Sequence, residues 1–335
     1  DVPELRRPDR KELDPIARMT TYRDWDHFAA WWWNLIKNQI EVTPAMRATV
    51  QQLCAGLTST DSKIAAIYRF VTTDVRYEAW EFGVHGYKPY STSVIYERRH
   101  GDCKDKALLL CAMLREIGVE GRPVLIFADP MRSKDDLGLP MVQHFNHCIA
   151  WLPAADGRPG RFLDGTATWH PTDTLPEMDQ GAEVLVVDNG RAELRTVPWT
   201  SPQQNRNQDD YTVTLRADGS AEVGVQYQPL GNSAVELRSM IATETARRRE
   251  QLERRLTSSL GKLELRDLQA SDGLDLGAPV SITATAALPE LGQRGSDRWQ
   301  LPSTWQYGDL QALANAPERR TPLLLGIPQG SRQTV

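Results

Sequence analysis

Three stretches near the start of the chain repeat apolar residues at helical spacing: 25–39 (WDHFAAWWWNLIKNQ), 44–57 and 62–71. A fourth run begins at Cys103 and continues to Ile117. Its positions 107, 110, 111, 114 and 117 form one apolar face, and 108, 109 and 113 are apolar too. A helix this greasy all round belongs at the centre of its domain. Asp102 is a good N-cap for it, Asp105 three positions on adds a weak capping box, and Gly118 supplies a stop. Thr60, Asp61 and Ser62 offer capping residues for the helix that starts near Ser62. The tryptophans at 31, 32 and 33 point around about 200° of their helix, so some face the core and others face neighbours. One of them can line a groove.

The pattern changes to a period of two at 143–152 (QHFNHCIAWL), a strand with His147, Ile149 and Trp151 on one face and His144, Asn146, Cys148 and Ala150 on the other. A glycine-containing turn at 155–160 leads to a second strand, RFLDGT at 161–166. After Trp199 comes TSPQQNRNQDD, polar and turn-rich, which reads as a linker. Beyond it, alternating runs at 211–216 and 221–227 flank an Asp-Gly pair, a strong hairpin signal. A long charged helix at ~232–259 and a strand-like stretch at 279–286 follow. The helix, with ETARRREQLERRL at 244–256, reads as an exposed face of interspersed charges rather than a site for an anionic polymer.

This organisation divides the chain into a linker at 1–20, a core at 21–200 and a β-rich α+β module at 201–335. All four cysteines, all six histidines and seven of the ten tryptophans precede Trp199, so the reactive chemistry lies in the core. With 40% hydrophobic and 25% charged residues in 335, the chain is globular and long enough for two cores. No apolar run approaches the ~20 residues that span a bilayer. A net charge of −5 gives no footprint for nucleic acid. The chain starts at Asp1 without an initiator methionine, which suggests processing or division of a longer protein.

Four cysteines, none in a C-x-x-C pair, make neither a disulfide framework nor a zinc site, and leave the redox compartment open. Cys103 stands out among them. It falls in the first turn of its helix, where unpaired backbone N–H groups and the positive end of the dipole favour a thiolate. Lys104 and Lys106 add positive charge, partly offset by Asp102 and Asp105. Cys111 and Cys54 read as packing. A nucleophilic cysteine needs a base, and the base an orienting group. Only one of His144 and His147 can face the cysteine from the strand. In an antiparallel hairpin Asp164 lies beside His147 and receives its ring N–H. Each of Cys103, His147 and Asp164 has an ordinary structural reading alone; their order on helix start, strand and next strand favours catalysis.

The strings GDCKDKA at 101–107, FNH at 145–147 and FLDGT at 162–166 resemble the three motif blocks of the transglutaminase-like superfamily. IAAIYRFVTTDVRY at 64–77 and GVHGYKP at 83–89 are similar to the same superfamily's leading helix and the segment before its cysteine. The resemblance implies an α+β fold: a papain-like core with a central helix packed on an antiparallel sheet, followed by the smaller β-rich module. It implies Cys103 as nucleophile, His147 as base and Asp164 as its orienter. One departure is Asp-Gly-Thr at 164–166, where many members have Asp-Pro-Thr. RRTPLLLG at 319–326 resembles the closing module of a bacterial exported subgroup, which also implies an upstream β-rich module and a periplasmic or other extracytoplasmic location.

The expected chemistry is cysteine-dependent acyl transfer on an amide of a peptide, protein or other substrate, by hydrolysis or transamidation. The backbone N–H of Cys103 at the helix start is one candidate oxyanion donor. Trp80, Tyr87 and Asp102 are candidates for a second donor or for substrate contact, with packing or capping as the alternative. His85, His100, His144 and His170 read as loop histidines. Zinc held by His144, His147 and Asp164 is disfavoured, because residues three apart on a strand face opposite ways and no H-E-x-x-H occurs. No cofactor or metal is called for. The contrasting reading is a non-catalytic scaffold or binding module of the cell envelope with the same fold.

Overall fold

Side-chain caps set where the first helices begin. In the computed structural model, which describes residues 6–8, 13, 15–79, 81–132, 136–242, 245–291, 293–295, 299–300, 323 and 328–334, Asp24 accepts from the His27 backbone N–H at 2.7 Å and opens α1 (Trp25–Ile36). Thr43 caps α2 (Pro44–Leu53), with Pro44 in the first turn, where its missing N–H costs nothing. Helix α3 (Thr60–Thr73) starts two residues before Ser62, because Ser59 is the cap; its hydroxyl accepts from the Ser62 N–H at 3.0 Å. Helix α2 stops at Leu53 rather than near 57, and Gly56 in the turn beyond takes a left-handed backbone.

A short strand β1 (Arg76–Tyr77) pairs in parallel with β2 (His100–Gly101), and between them lies α4 (Thr92–Arg98). Helix α5 (Cys103–Arg115) follows, and every residue from Cys103 to Leu114 is buried. Its apolar side chains join two clusters. Leu109, Leu110 and Met113 pack with Ile64, Ile67 and Val71 of α3, while Ala107 and Leu108 meet Phe28, Trp32 and Ile36 of α1. Strands β3 (Arg122–Ile126), β4 (His147–Leu152), β5 (Arg161–Leu163), β6 (Glu183–Asp188) and β7 (Arg191–Thr196) form one antiparallel sheet in the order β5-β4-β3-β6-β7. This is an α+β core with a central helix on an antiparallel sheet. His144 lies in a 3-10 turn before β4 rather than in the strand itself.

The chain divides into two compact units between Trp199 and Thr200. Part of the expected N-terminal linker is fastened to the first unit: Arg18 bridges Asp136 at 2.7 Å, and the Thr20 hydroxyl donates to the Pro140 carbonyl at 2.6 Å.

In the second unit β8 (Arg206–Leu215) begins inside the polar stretch expected to be linker, and pairs antiparallel with β9 (Ala221–Tyr227) through the Asp-Gly turn. Helices α6 (Asn232–Ile241) and α7 (Thr245–Leu260) precede β10 (Glu264–Ala270) and β11 (Ile282–Leu288). A two-residue pair β12 (Gln293–Arg294) and β13 (Trp299–Gln300) comes before β14 (Gly330–Thr334). The sheet order is β10-β11-β9-β8-β14, with β14 parallel to β8. The single long helix expected at ~232–259 is two. Arg248 donates to the carbonyl of Ile241 and satisfies the end of α6, a bond that a periodicity of apolar letters does not reveal. Leu237, Ile241, Leu252 and Leu256 then share one core with Val223, Val225 and Ile282. The 319–326 string lies outside the described residues apart from Leu323.

Candidate active site

The approach to the cysteine is built by tight local chemistry. Arg99 ends α4 in a left-handed conformation, φ 57°, with its guanidinium 4.2 Å from the Tyr96 ring centre and 4.6 Å from that of Phe70. Gly101 follows, where a Cβ would come within 2.7 Å of the Asp105 Cβ, so only glycine fits without displacement. Asp102 then caps α5: its Oδ1 accepts from the Asp105 N–H at 3.1 Å, and Asp105 returns a carboxylate oxygen to the Asp102 N–H at 3.3 Å.

Three charged side chains of the first turns of α5 are buried, and each has its partner. Lys104 Nζ donates to Asp102 Oδ2 at 2.5 Å and reaches Glu81 at 3.4 Å. Asp105 accepts from the Tyr90 N–H at 2.8 Å and from Arg98 at 2.8 Å. Burial and the neighbouring Asp102 push the Asp105 carboxyl up, against the pull of those hydrogen bonds. Lys106 Nζ donates to the Val75 carbonyl at 2.5 Å, and burial lowers it to about 8, opposed by the charge of Asp164. The turn holding Cys103 is thus tied to the segment 75–98 by four side-chain bonds.

Cys103 occupies the first helical position, 7% exposed, where its backbone N–H has no intrahelical acceptor. His147 opens β4 and borders the same cleft as Cys103. The Nε2 of His147 lies 3.1 Å from Asp164 Oδ2. Strand register explains the meeting: Ala150 pairs with Leu163, and one step further sets Asp164 opposite Ile149, on the face that His147 shares. The second Asp164 oxygen accepts from the Thr166 N–H and hydroxyl, both at 2.8 Å, and its backbone carbonyl accepts from the Tyr68 hydroxyl at 3.0 Å. Burial works to lower His147, but the charge and hydrogen bond of Asp164, helped by Cys103, hold it up at about 11. Burial works in reverse on Asp164, and His147 and Thr166 hold that carboxyl below its usual range.

Cys103 and His147 border a cleft of about 290 Å³ whose wall includes Phe28, Trp31, Tyr87 and Phe145, with Glu81 and Lys104 also at the lining. The adjacent tryptophans divide as their angles require. Trp31 and Trp32 face the cleft, with Trp32 donating its indole N–H to the Tyr87 carbonyl at 3.0 Å, whereas Trp33 packs against Gly190. Tyr87 is therefore a cleft residue. The Asp102 carboxylate is not part of that lining: it is 2% exposed and engaged by the cap and Lys104. Trp80 lies outside the described residues.

The other histidines serve local contacts. His85 stacks on Tyr90 with ring centres 3.8 Å apart, His100 meets Glu78 at 3.3 Å, His144 contacts the Leu139 carbonyl at 2.9 Å, and the backbone N–H of His170 donates to Ala167. Burial pushes the Cys111 thiol up to about 12 and also raises that of Cys148 well above its ordinary value, consistent with packing roles.

Among the described residues, two sets of three ligand-bearing side chains have their atoms within 4.8 Å of one another: Glu81, Asp102 and Cys103, and His147, Asp164 and Asp179. Lys104 already supplies the positive charge in the first and His147 in the second. Two neighbours of the site are not among the candidate site residues of the sequence. One is Asp179. The other is Tyr77, whose hydroxyl is raised to about 12 by burial and by Cys103, Asp102, Glu81 and Asp164 around it. Tyr77 pairs with Gly101 across β1 and β2, a register that only the parallel pairing discloses.

No curated protein matches this chain. The solved structure of a "putative protease" from Parabacteroides distasonis aligns with a TM-score of 0.45 at 13% identity, covering 84% of this chain and 57% of that one. That of a "putative cysteine protease" from Cytophaga hutchinsonii gives a TM-score of 0.28 at 16% identity, over 39% of this chain and 41% of its own. The chain thus spans just over half the length of the first of these proteins. The family model described as the transglutaminase-like superfamily matches residues 47–154, which carry the capping box, α5, Cys103 and His147; Asp164 lies beyond the match. The segment 47–154 belongs to the transglutaminase-like superfamily.

Proposed function

We propose that this protein is a cysteine-dependent acyl-transfer enzyme acting on amide bonds of a peptide or protein. The observation that carries this reading is the convergence of three side chains, with His147 hydrogen-bonded to Asp164 and bordering, together with Cys103, an aromatic-walled cleft.

The Cys103 sulfur attacks the amide carbonyl carbon, forming a C–S bond, and the carbonyl oxygen takes the negative charge. The backbone N–H of Cys103 faces that charge at the helix start. As the C–N bond breaks, protonated His147 gives its proton to the leaving amine and a thioester remains. A water then attacks the thioester carbon and yields a proton to His147. The C–S bond breaks, the acid departs and Cys103 is restored. An amine in place of water gives transamidation by the same steps. Asp164 keeps the imidazole ring oriented throughout.

The test is the rate of iodoacetamide labelling at pH 6–7. Cys103 should react faster than a free thiol, and His147→Ala should remove the advantage. Equal rates in the wild type, unchanged by His147→Ala, would leave a scaffold or binding module of this fold.

A further inference from the structure

Asp179 ends a 3-10 turn (Glu177–Asp179) of the first unit. It is 0% exposed, and its carboxylate shares the 4.8 Å cluster with Asp164 and His147. As a carboxylate neither of its oxygens meets a donor, although a carboxylate oxygen of Asp164 lies within 4.8 Å. Two buried acid groups this close can hydrogen-bond to each other only if one of them carries a proton. The donor census decides which. Asp164 already receives His147 on one oxygen and two donors from Thr166 on the other, whereas Asp179 receives none.

The position of Asp179 is enforced from both sides. Arg132, 8% exposed, donates to the carbonyl of Met178 at 2.9 Å, to that of Gln180 at 3.1 Å and to that of Phe127. The Asp129 N–H adds a second bond to Met178 at 2.8 Å. The guanidinium thus grips the backbone immediately before and after Asp179.

We propose that Asp179 is a positioning residue of the catalytic array, a neutral carboxylic acid whose O–H donates to Asp164 and fixes the carboxylate that orients His147. The proposal rests on the catalytic reading of Cys103, His147 and Asp164. Burial and the charge of Asp164 favour the protonated form; His147 and Arg132 oppose it, and Tyr68 on α3 is the other titratable group in reach. Held by that O–H, the Asp164 carboxylate stays against His147, whose imidazolium favours the Cys103 thiolate. Without it, the thiolate is less favoured.

Two measurements test this. Infrared difference spectra between wild type and Asp179→Asn at pH 7 should show the C=O band of one protonated carboxylic acid, lost in the variant. The pH profile of Cys103 alkylation should move its acid-side midpoint up by about one unit in Asp179→Ala, a tenfold slower reaction below the midpoint. The amide N–H of Asp179→Asn should rescue that shift. Absence of the infrared band, or an alanine variant with the wild-type midpoint, overturns the proposal, as does an asparagine variant no better than alanine. If Asp179→Ala fails to fold, the band and the asparagine profile decide. A wild-type Cys103 no more reactive than a free thiol would instead sink the acyl-transfer reading, while the band still reports the Asp179 proton separately.

Discussion

His147 Nε2 and Asp164 Oδ2 face each other at 3.1 Å in a setting where the imidazole side chain is 9% exposed and the carboxylate fully buried. Such a bond fixes both the tautomer and the rotation of the ring, and leaves the other ring nitrogen for Cys103. Asp164→Asn keeps the shape but removes the charge. The alkylation rate of Cys103 at pH 6–7 should fall about tenfold or more, since one unit in a titration midpoint is a factor of ten. A variant that labels at the wild-type rate would show that the carboxylate charge plays no part.

Labelling should also be selective. At limiting iodoacetamide near neutral pH, peptide mass mapping should find the adduct on Cys103 and none on Cys111 or Cys148, whose thiols burial raises. Cys111→Ala should leave the fast phase intact, and Cys103→Ala should abolish it.

Asp105 joins the cap, Arg98 and the Tyr90 backbone in one buried hub. Asp105→Ala leaves Arg98 without this partner and should cost about 3 kcal/mol in urea denaturation, the low end for breaking a buried pair, because Arg98 is partly exposed. Loss below 1 kcal/mol would mean that solvent replaces the carboxylate cheaply.

Gly101→Ala tests the same corner by volume. The added methyl meets Asp105 Cβ at 2.7 Å, so the helix start must shift, at about 1–3 kcal/mol of overpacking, measurable in the same denaturation series.

Lys106 gives a pH signature. Its folded-state value, lowered to about 8, lies below the unfolded one of about 10.4. Between those values the unfolded chain binds the extra proton, so stability rises with pH across that window. Lys106→Met lacks the proton and should lose this rise. The difference between the two urea-derived stabilities should therefore change between pH 8 and 10 in favour of the wild type.

The sequence reading succeeded where the governing contacts are local. The N-cap at Asp102 and the apolar run after it announce α5, and strand alternation with the Gly-rich turn announces the hairpin that brings Asp164 to His147. It fell short where the decisive partner is distant along the chain. Asp179 owes its place to Arg132, and the division of the charged helix depends on Arg248 reaching back to Ile241. Nor does a run of three tryptophans tell which two meet a cleft until β7 and the 82–87 segment are in position. Ala192 of β7 fixes one side by donating its backbone N–H to Asp26 on α1 at 2.9 Å.

The Tyr68 hydroxyl, from the middle of α3, holds the backbone carbonyl of Asp164. That bond makes the thiol a reporter on a helix other than its own. Partial opening of α3, by mild heat or low denaturant, would free the Asp164 turn and slow alkylation before the protein unfolds globally. Reactivity in this molecule would then be lost at a lower dose of denaturant than structure, and a damaged copy would fall silent before it came apart.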